Sequence, residues 1–287
     1  MTDWNERARA AAVRKSRMMS FGPYTRGLLV QGHHGLFVVD PEDSSVTGDL
    51  LATGTYAEHE LALATSFIRP EGDVLIVGTH IGGLAVPLSK RCKDMDAIEA
   101  NPDTQYFLKS NLLLNQCNNV NLHPVAASDS RDPITFLKNR DNSGGSKRKP
   151  VVEHIHYVYD QPETVTVEAW PLDQRLSRQA YDLIILDVEG SEYFALKGMQ
   201  RILEKSSNLA MEYLPHHIKD VAGVTVSQMC EYLTPHFNWL YIPGRGDLVS
   251  NDQFQTVLQD LYDNGKGYDA IYFMKSVSSE WKDAWLK

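Results

Sequence analysis

Three short stretches of the chain hold residue types that do chemistry when brought together. The first is the glycine-rich turn Gly78-Thr79-His80-Ile81-Gly82-Gly83, which follows the apolar run Val74 to Val77. Glycines between a strand and a helix let backbone approach a ligand closely. The second is Glu99, at the end of the next apolar run, where a carboxylate can accept two hydrogen bonds from a ribose diol. The third is Asp187-Val188-Glu189-Gly190-Ser191-Glu192, which sets several carboxylates where a hydrophobic strand ends. Ligands of open α/β sheets bind at that carboxyl edge, and clustered acids there are costly unless they are paired or at work.

Spacing narrows the ligand. A dinucleotide fingerprint reads G-x-G-x-x-G so that a pyrophosphate can rest on a helix N-terminus, whereas this turn reads G-x-x-x-G-G with His80 at the second fingerprint position. No G-x-x-x-x-G-K-[ST] loop is present, which disfavours a P-loop nucleotide. A nucleoside without phosphates suits the turn better, and S-adenosylmethionine is the expected cofactor. Each residue also has a plainer role open to it. Gly78 and Gly82 can serve a tight turn, Glu99 can be a solvated strand end, Asn101 can cap its helix, and Glu192 can complement a helix dipole.

The elements that position these residues alternate. The runs at 73–77, 95–99, 120–128, 164–170, 182–187 and 208–213 read as strands, with helices after the first turn, over 102–115, near 172–176 and through 192–203. Asn101-Pro102 gives the second helix a cap and a first residue. Buried strands alternating with helices mean a mostly parallel sheet covered on both faces. The runs 237–242 and 269–275, joined by a helix, suit an antiparallel addition at the sheet edge. Upstream, residues 4–19 read as a polar helix, 27–40 as a hairpin turning at His33-His34, and Thr55 to Glu58 as a capping box. The expected division is an N-terminal extension over 1–54 and a Rossmann-like domain over 55–287.

Composition excludes other classes. The chain has 287 residues, 43% hydrophobic and 23% charged, which is ordinary globular usage. With 28 Lys and Arg against 37 Asp and Glu, the net charge is −9, so nucleic-acid binding would need a local basic patch. The one dense patch, Lys147-Arg148-Lys149, follows Ser143-Gly144-Gly145-Ser146 and reads as a solvated flexible loop. The three cysteines have no CxxC spacing, and no uncharged run approaches the ~18 residues of a membrane span. A cytoplasmic protein is expected, with no nucleic-acid or membrane partner; oligomeric state is not legible.

Several segments together resemble the FkbM-type methyltransferases. VLIVGTHIGG is similar to that family's V-x-D-x-G-A-N-x-G turn, AIEANP to its acidic strand end, HPVAASD to its third-strand region, and LDVEGSE to its I-D-V-E-G-x-E signature. The resemblance spans about Gly35 to Glu212 and implies a class I, S-adenosylmethionine-dependent enzyme with strand order 3-2-1-4-5-7-6. It implies further that Gly78, His80 and Gly82 line the methionine moiety, Glu99 the ribose, and Ser128 and Asp129 the adenine, with Thr79 and Asn101 expected among the cofactor-binding residues. Asp187 would lie between cofactor and acceptor. Two positions depart from the family pattern: Ile76 stands where it has Asp, and His80 where it has Asn. Methyl transfer to a hydroxyl or amide also needs a base, for which Asp187, Glu189 and His216, of the His216-His217 pair, are the candidates. Asp187, Glu212 and one of these histidines are alternatively a divalent-cation donor set, although no metal is assigned. The implied acceptor is a small molecule, sugar or peptide natural product. The competing expectations are a nicotinamide-dependent oxidoreductase and a non-catalytic cofactor-binding descendant, the latter motivated by Ile76.

Overall fold

The computed structural model describes residues 12, 16, 18–22 and 24–286, so the polar helix expected over 4–19 lies largely outside the described residues. In chain order the strands are β1 (Leu28–Gly32), β2 (Gly35–Val39), β3 (Val74–Val77), β4 (Met95–Ile98), β5 (Val120–His123), β6 (Ala126–Ala127), β7 (Ile134–Lys138) and β8 (Lys147–Arg148). They continue with β9 (Glu163–Val167), β10 (Ala169–Trp170), β11 (Leu183–Leu186), β12 (Asn208–Tyr213), β13 (Trp239–Tyr241), β14 (Leu248–Ser250) and β15 (Tyr268–Met274).

The central sheet has eight strands in the order β14-β13-β15-β12-β11-β3-β4-β5. Numbering β3, β4, β5, β11, β12, β13 and β15 as core strands one to seven, this is the 3-2-1-4-5-7-6 order with β14 added at one edge. Neighbours from β5 through β12 run parallel, and β15 enters antiparallel between β12 and β13. Alternate residues of each strand feed opposite cores. Leu75, Val77, Ile184 and Leu186 join the larger one, while Val74, Ile76, Leu183 and Ile185 join that on the other face. All eight are buried, as strands covered on both faces must be.

Several local expectations change. The run 164–170 does not enter the central sheet: β9 pairs with β7, β7 with β8, and β10 pairs only with β6. The stretch 192–203 is two helices, Glu192–Gly198 and Gln200–Lys205, interrupted at Met199. A Cβ on Gly198 would stand 1.9 Å from the Ser128 carbonyl oxygen, so the first helix ends pressed against the backbone just after β6. Thr55 forms no capping box either. The helix Glu58–Thr65 starts from Ala57 at φ 51° without a side-chain cap, and the Thr55 hydroxyl pairs with that of Thr53.

The upstream hairpin is pinned to the helix Pro102–Leu114. Asn111 accepts from Val38 N at 2.6 Å and donates to the Val38 and Ile81 carbonyls, while Asn115 accepts from Leu36 N and donates to the Leu36 carbonyl. Phe37, Val39, Val46 and Leu50 then close a third core with Ile81, Phe107 and Leu108. That core fixes the turn after β3 from behind. No helix among the described residues is long and apolar enough to cross a membrane.

Candidate active site

A crevice of about 440 Å³ opens at the carboxyl ends of β3, β4, β11 and β12. Its floor is the turn that follows β3. Gly78 has φ 90°, and a Cβ there would stand 1.6 Å from the Asp187 carbonyl oxygen, so only glycine lets β3 and β11 approach this closely. His80 also lies in the left-handed region, at φ 53°. Its N–H donates to Glu99 Oε2 at 2.7 Å, and the Asn101 N–H donates to Oε1 at 2.7 Å. Buried Glu99 therefore bridges the two strand ends through both oxygens, and each oxygen keeps a second lone pair for a ligand hydroxyl. Asn101 caps the next helix by accepting from Asp103 N, and its amide donates to Ser146 Oγ. Thr79 turns inward, its hydroxyl donating to the Ile76 and Ile98 carbonyls.

The segment 142–146 is a built wall rather than a flexible loop, which corrects the reading of its glycines and serines. Ser143 N–H and Oγ both bond the Asp43 carboxylate, His80 Nε2 meets Ser143 Oγ at 2.7 Å, and Asn142 caps the turn by accepting from Gly145 N. Asn142, Ser143, Gly144 and Ser146 all face the crevice. The basic patch beyond it is corrected as well. Lys147 is 6% exposed and pairs through Nζ with Glu189 Oε2 at 2.9 Å, and Arg148 donates to Ser128 Oγ and stacks over the Phe194 ring. Only Lys149 of the three is exposed.

The rear wall behind the turn is apolar. Ile76 faces the crevice with Ala64, Ile185, Ala210 and Tyr272, so this chain carries no acid where the resemblance would place one. The wall opposite is acidic. Asp187 is exposed where it faces the crevice, yet desolvation by the protein packed around it, with the charges of Glu189, Glu192 and Asp269, pushes its carboxyl well above the usual range. Glu189 is held at φ 54° by the turn after β11. Glu192 closes that turn by accepting from Val188 and Gly190 N–H, and burial raises it to about 7 despite those bonds.

Not every expected residue reaches the crevice. Gly82, at φ 92°, serves the turn from behind, where a Cβ would meet Leu108 at 2.9 Å. Ser128 and Asp129 are engaged elsewhere, Ser128 by Arg148 and Asp129 by Lys197 at 2.9 Å, and the neighbouring Ala126 and Ala127 line the crevice instead. His216 is exposed, its ring stacked on Tyr157. Its neighbour His217 is buried, with Nε2 3.3 Å from Lys147 Nζ and Nδ1 3.3 Å from Glu212 Oε2. Burial and the Lys147 ammonium drive His217 far below the ordinary imidazole value, while burial and its acidic neighbours push Glu212 well above the carboxylate range. Glu189, Glu212 and His217 place one ligand-type atom each within 4.8 Å of one another, so Glu189, rather than Asp187, completes that group. Sequence reasoning missed Lys147, Ser143 and Tyr56, the last of which lines the crevice with its ring beside Gly83, and all three come from segments outside the motifs.

The residues present fit an adenosyl sulfonium. The glycines let the turn pack against β11 and the helix behind it so that its backbone borders the crevice, Glu99 offers free lone pairs to a diol, and the acidic wall suits a cation. The Methyltransferase FkbM domain matches residues 77–241. Among solved structures, methyltransferase FkbM from Methylobacillus flagellatus KT is 16% identical, with 71% of this chain and 44% of that chain covered and a TM-score of 0.42. Precorrin-6y C5,15-methyltransferase from Geobacter metallireducens is 12% identical over 78% of this chain and 93% of that one, at a TM-score of 0.40. M. jannaschii TYW2 in complex with AdoMet is 12% identical over 89% of each chain, at 0.41. The chain thus spans under half the length of the first of these structures. No curated protein sequence matches it. With the domain matched over more than half its length, this chain belongs to the FkbM methyltransferase domain family, a class I fold whose cofactor is S-adenosylmethionine.

Proposed function

We propose that the chain methylates a hydroxyl or amide of a small-molecule, sugar or peptide acceptor, and that Asp187 is the base. The observation that carries this is the placement of Asp187: its backbone carbonyl packs against Gly78 of the cofactor turn while its raised carboxyl opens into the same crevice. S-adenosylmethionine supplies a methyl already activated by the sulfonium, so the protein chiefly aligns an acceptor and excludes water. Held at the Gly78 turn and Glu99, the cofactor would supply the methyl and retain the sulfur electron pair, while the proton lost by the acceptor would pass to the Asp187 carboxylate. A base works best with a pKa near the operating pH, and burial beside Glu189 moves Asp187 in that direction. Glu189 also lines the crevice and pairs with Lys147 at 2.9 Å.

In this reading Ser45, Val46, Asp49 and Tyr56, with Asn142, Ser143, Gly144 and Ser146, shape the acceptor side of the crevice, and the chain divides into an N-terminal extension over 1–54 and a domain over 55–287. A cytoplasmic setting and a place in natural-product biosynthesis belong to the same proposal, on the strength of three free buried cysteines and the family. Replacing Asp187 with Asn keeps the shape and removes the base. Single-turnover assays with methyl-labelled cofactor are expected to show a roughly 10²- to 10⁴-fold lower rate with near-normal S-adenosylhomocysteine affinity. An undiminished rate in Asp187→Asn removes Asp187 from the mechanism.

A further inference from the structure

Lys147 begins a short edge strand, β8, yet its ammonium reaches the acidic edge of the central sheet and is buried there. Nζ lies 2.9 Å from Glu189 Oε2, 3.3 Å from His217 Nε2, and 5.5 Å from the centre of the Tyr157 ring. Glu189 and His217 are two of the three residues whose donor atoms gather within 4.8 Å, and the third, Glu212, bonds the far nitrogen of the same histidine. A lysine has no acceptor, so His217 Nε2 must accept from it. With Nε2 accepting, the ring proton lies on Nδ1, which faces Glu212 Oε2 at 3.3 Å, while Glu189 Oε2 also stands 3.4 Å from Nε2.

We infer that Lys147 is a resident cation for the acceptor end of the site, filling the place that a divalent ion takes in a two-carboxylate, one-imidazole donor set. Lys147 acts as a positioning residue. It ties the Glu189 carboxylate to the wall and fixes the orientation of His217, and through them it sets the charge that faces Asp187. The inference rests on the proposed methyl transfer only for its effect on turnover; the occupancy of the cation position stands by itself. Two features support a lysine here over a metal. The ammonium already makes contact with two of the three donor residues, and the surrounding group is nearly closed, with Lys147, Glu212 and His217 all buried. Lys147 is buried and Glu189 half-buried, so removing the lysine leaves the Glu189 carboxylate without its counter-charge, a place that another cation can fill.

The test is a titration with Mn²⁺ followed by electron paramagnetic resonance, on the wild type, Lys147→Ala and Lys147→Ala/Glu189→Gln. The wild type is expected to show no site sensitive to Glu189 or His217. Lys147→Ala is expected to gain one Mn²⁺ site at least tenfold tighter than any in the wild type, and the double variant to lose it. In the methyl-transfer assay, wild-type turnover is expected to be indifferent to chelator. Lys147→Ala is expected to lose about 10²-fold and recover at least tenfold with Mn²⁺, a response that a purely structural lysine would not give. A Mn²⁺ site in the wild type that disappears in His217→Ala overturns the inference whether or not Lys147→Ala folds. So does a well-folded Lys147→Ala that binds no Mn²⁺. Absence of methyl transfer in every variant with the Mn²⁺ pattern intact would fault the reaction assignment and leave the cation assignment standing.

Discussion

Replacing Glu99 with Gln perturbs the cofactor grip at one point and leaves the volume unchanged. Each oxygen of Glu99 accepts a backbone N–H at 2.7 Å, from His80 on one side and Asn101 on the other. An amide has a single accepting oxygen, so its NH₂ must face one of those two N–H groups. The residue is buried, and a buried unpaired donor costs about 1–3 kcal/mol, enough to lower Tm by several degrees in a domain of this size. Binding suffers separately. A charged acceptor for a ribose hydroxyl contributes about 1.5–3 kcal/mol, so S-adenosylhomocysteine affinity in Glu99→Gln should fall roughly 10- to 150-fold. Calorimetric titration gives the affinity, and differential scanning fluorimetry gives the melting shift. A Kd within about threefold of wild type, with Tm unmoved, would refute the assignment of Glu99 as the ribose acceptor.

Other outcomes follow from the same geometry. Gly78→Ala puts a Cβ 1.6 Å from the Asp187 carbonyl at φ 90°, so the apoprotein should be destabilised by at least about 1–3 kcal/mol in urea unfolding and lose cofactor binding. Because the folded Asp187 holds its proton to higher pH than an ordinary carboxyl, kcat/KM should rise along an acid limb displaced upward from the usual carboxylate range, and Asp187→Asn should abolish that limb. Glu192 keeps its proton to about pH 7 when folded, against 4.5 as its ordinary value, so unfolding releases a proton between the two. Its contribution is therefore present at low pH and lost as pH rises through 7, by at most about 3 kcal/mol. Glu192→Gln should flatten the fall of Tm between pH 5 and 8, and an unchanged slope would contradict the assigned proton.

The sheet was legible because its signal is local. Val74 to Val77 and Leu183 to Leu186 are short apolar runs bounded by turn residues, and they become the buried central strands. β14 escaped notice because three residues after a Gly-rich turn carry no periodicity. The glycine turn and Glu99 were readable for the same local reason, since spacing along the chain fixes their separation across β3 and β4. Lys147 was not. Its charge reads as solvated until β8 docks, and its partners Glu189 and His217 lie 42 and 70 residues away. His216 and His217 have identical chemistry in sequence, and the helical turn over 217–222 sends one ring outward and buries the other. Ser128 and Asp129 illustrate the reverse case, where a motif position is matched but Arg148 and Lys197, arriving from elsewhere, bind the side chains.

The most direct test of the central claim is calorimetric titration of the wild-type protein with S-adenosylhomocysteine and with NAD under identical conditions. A crevice built from the Gly78 turn and Glu99 is expected to bind the thioether nucleoside at one site with micromolar or tighter affinity, and to show no heat of binding with the dinucleotide. Preference for NAD, or no binding of either, would contradict it.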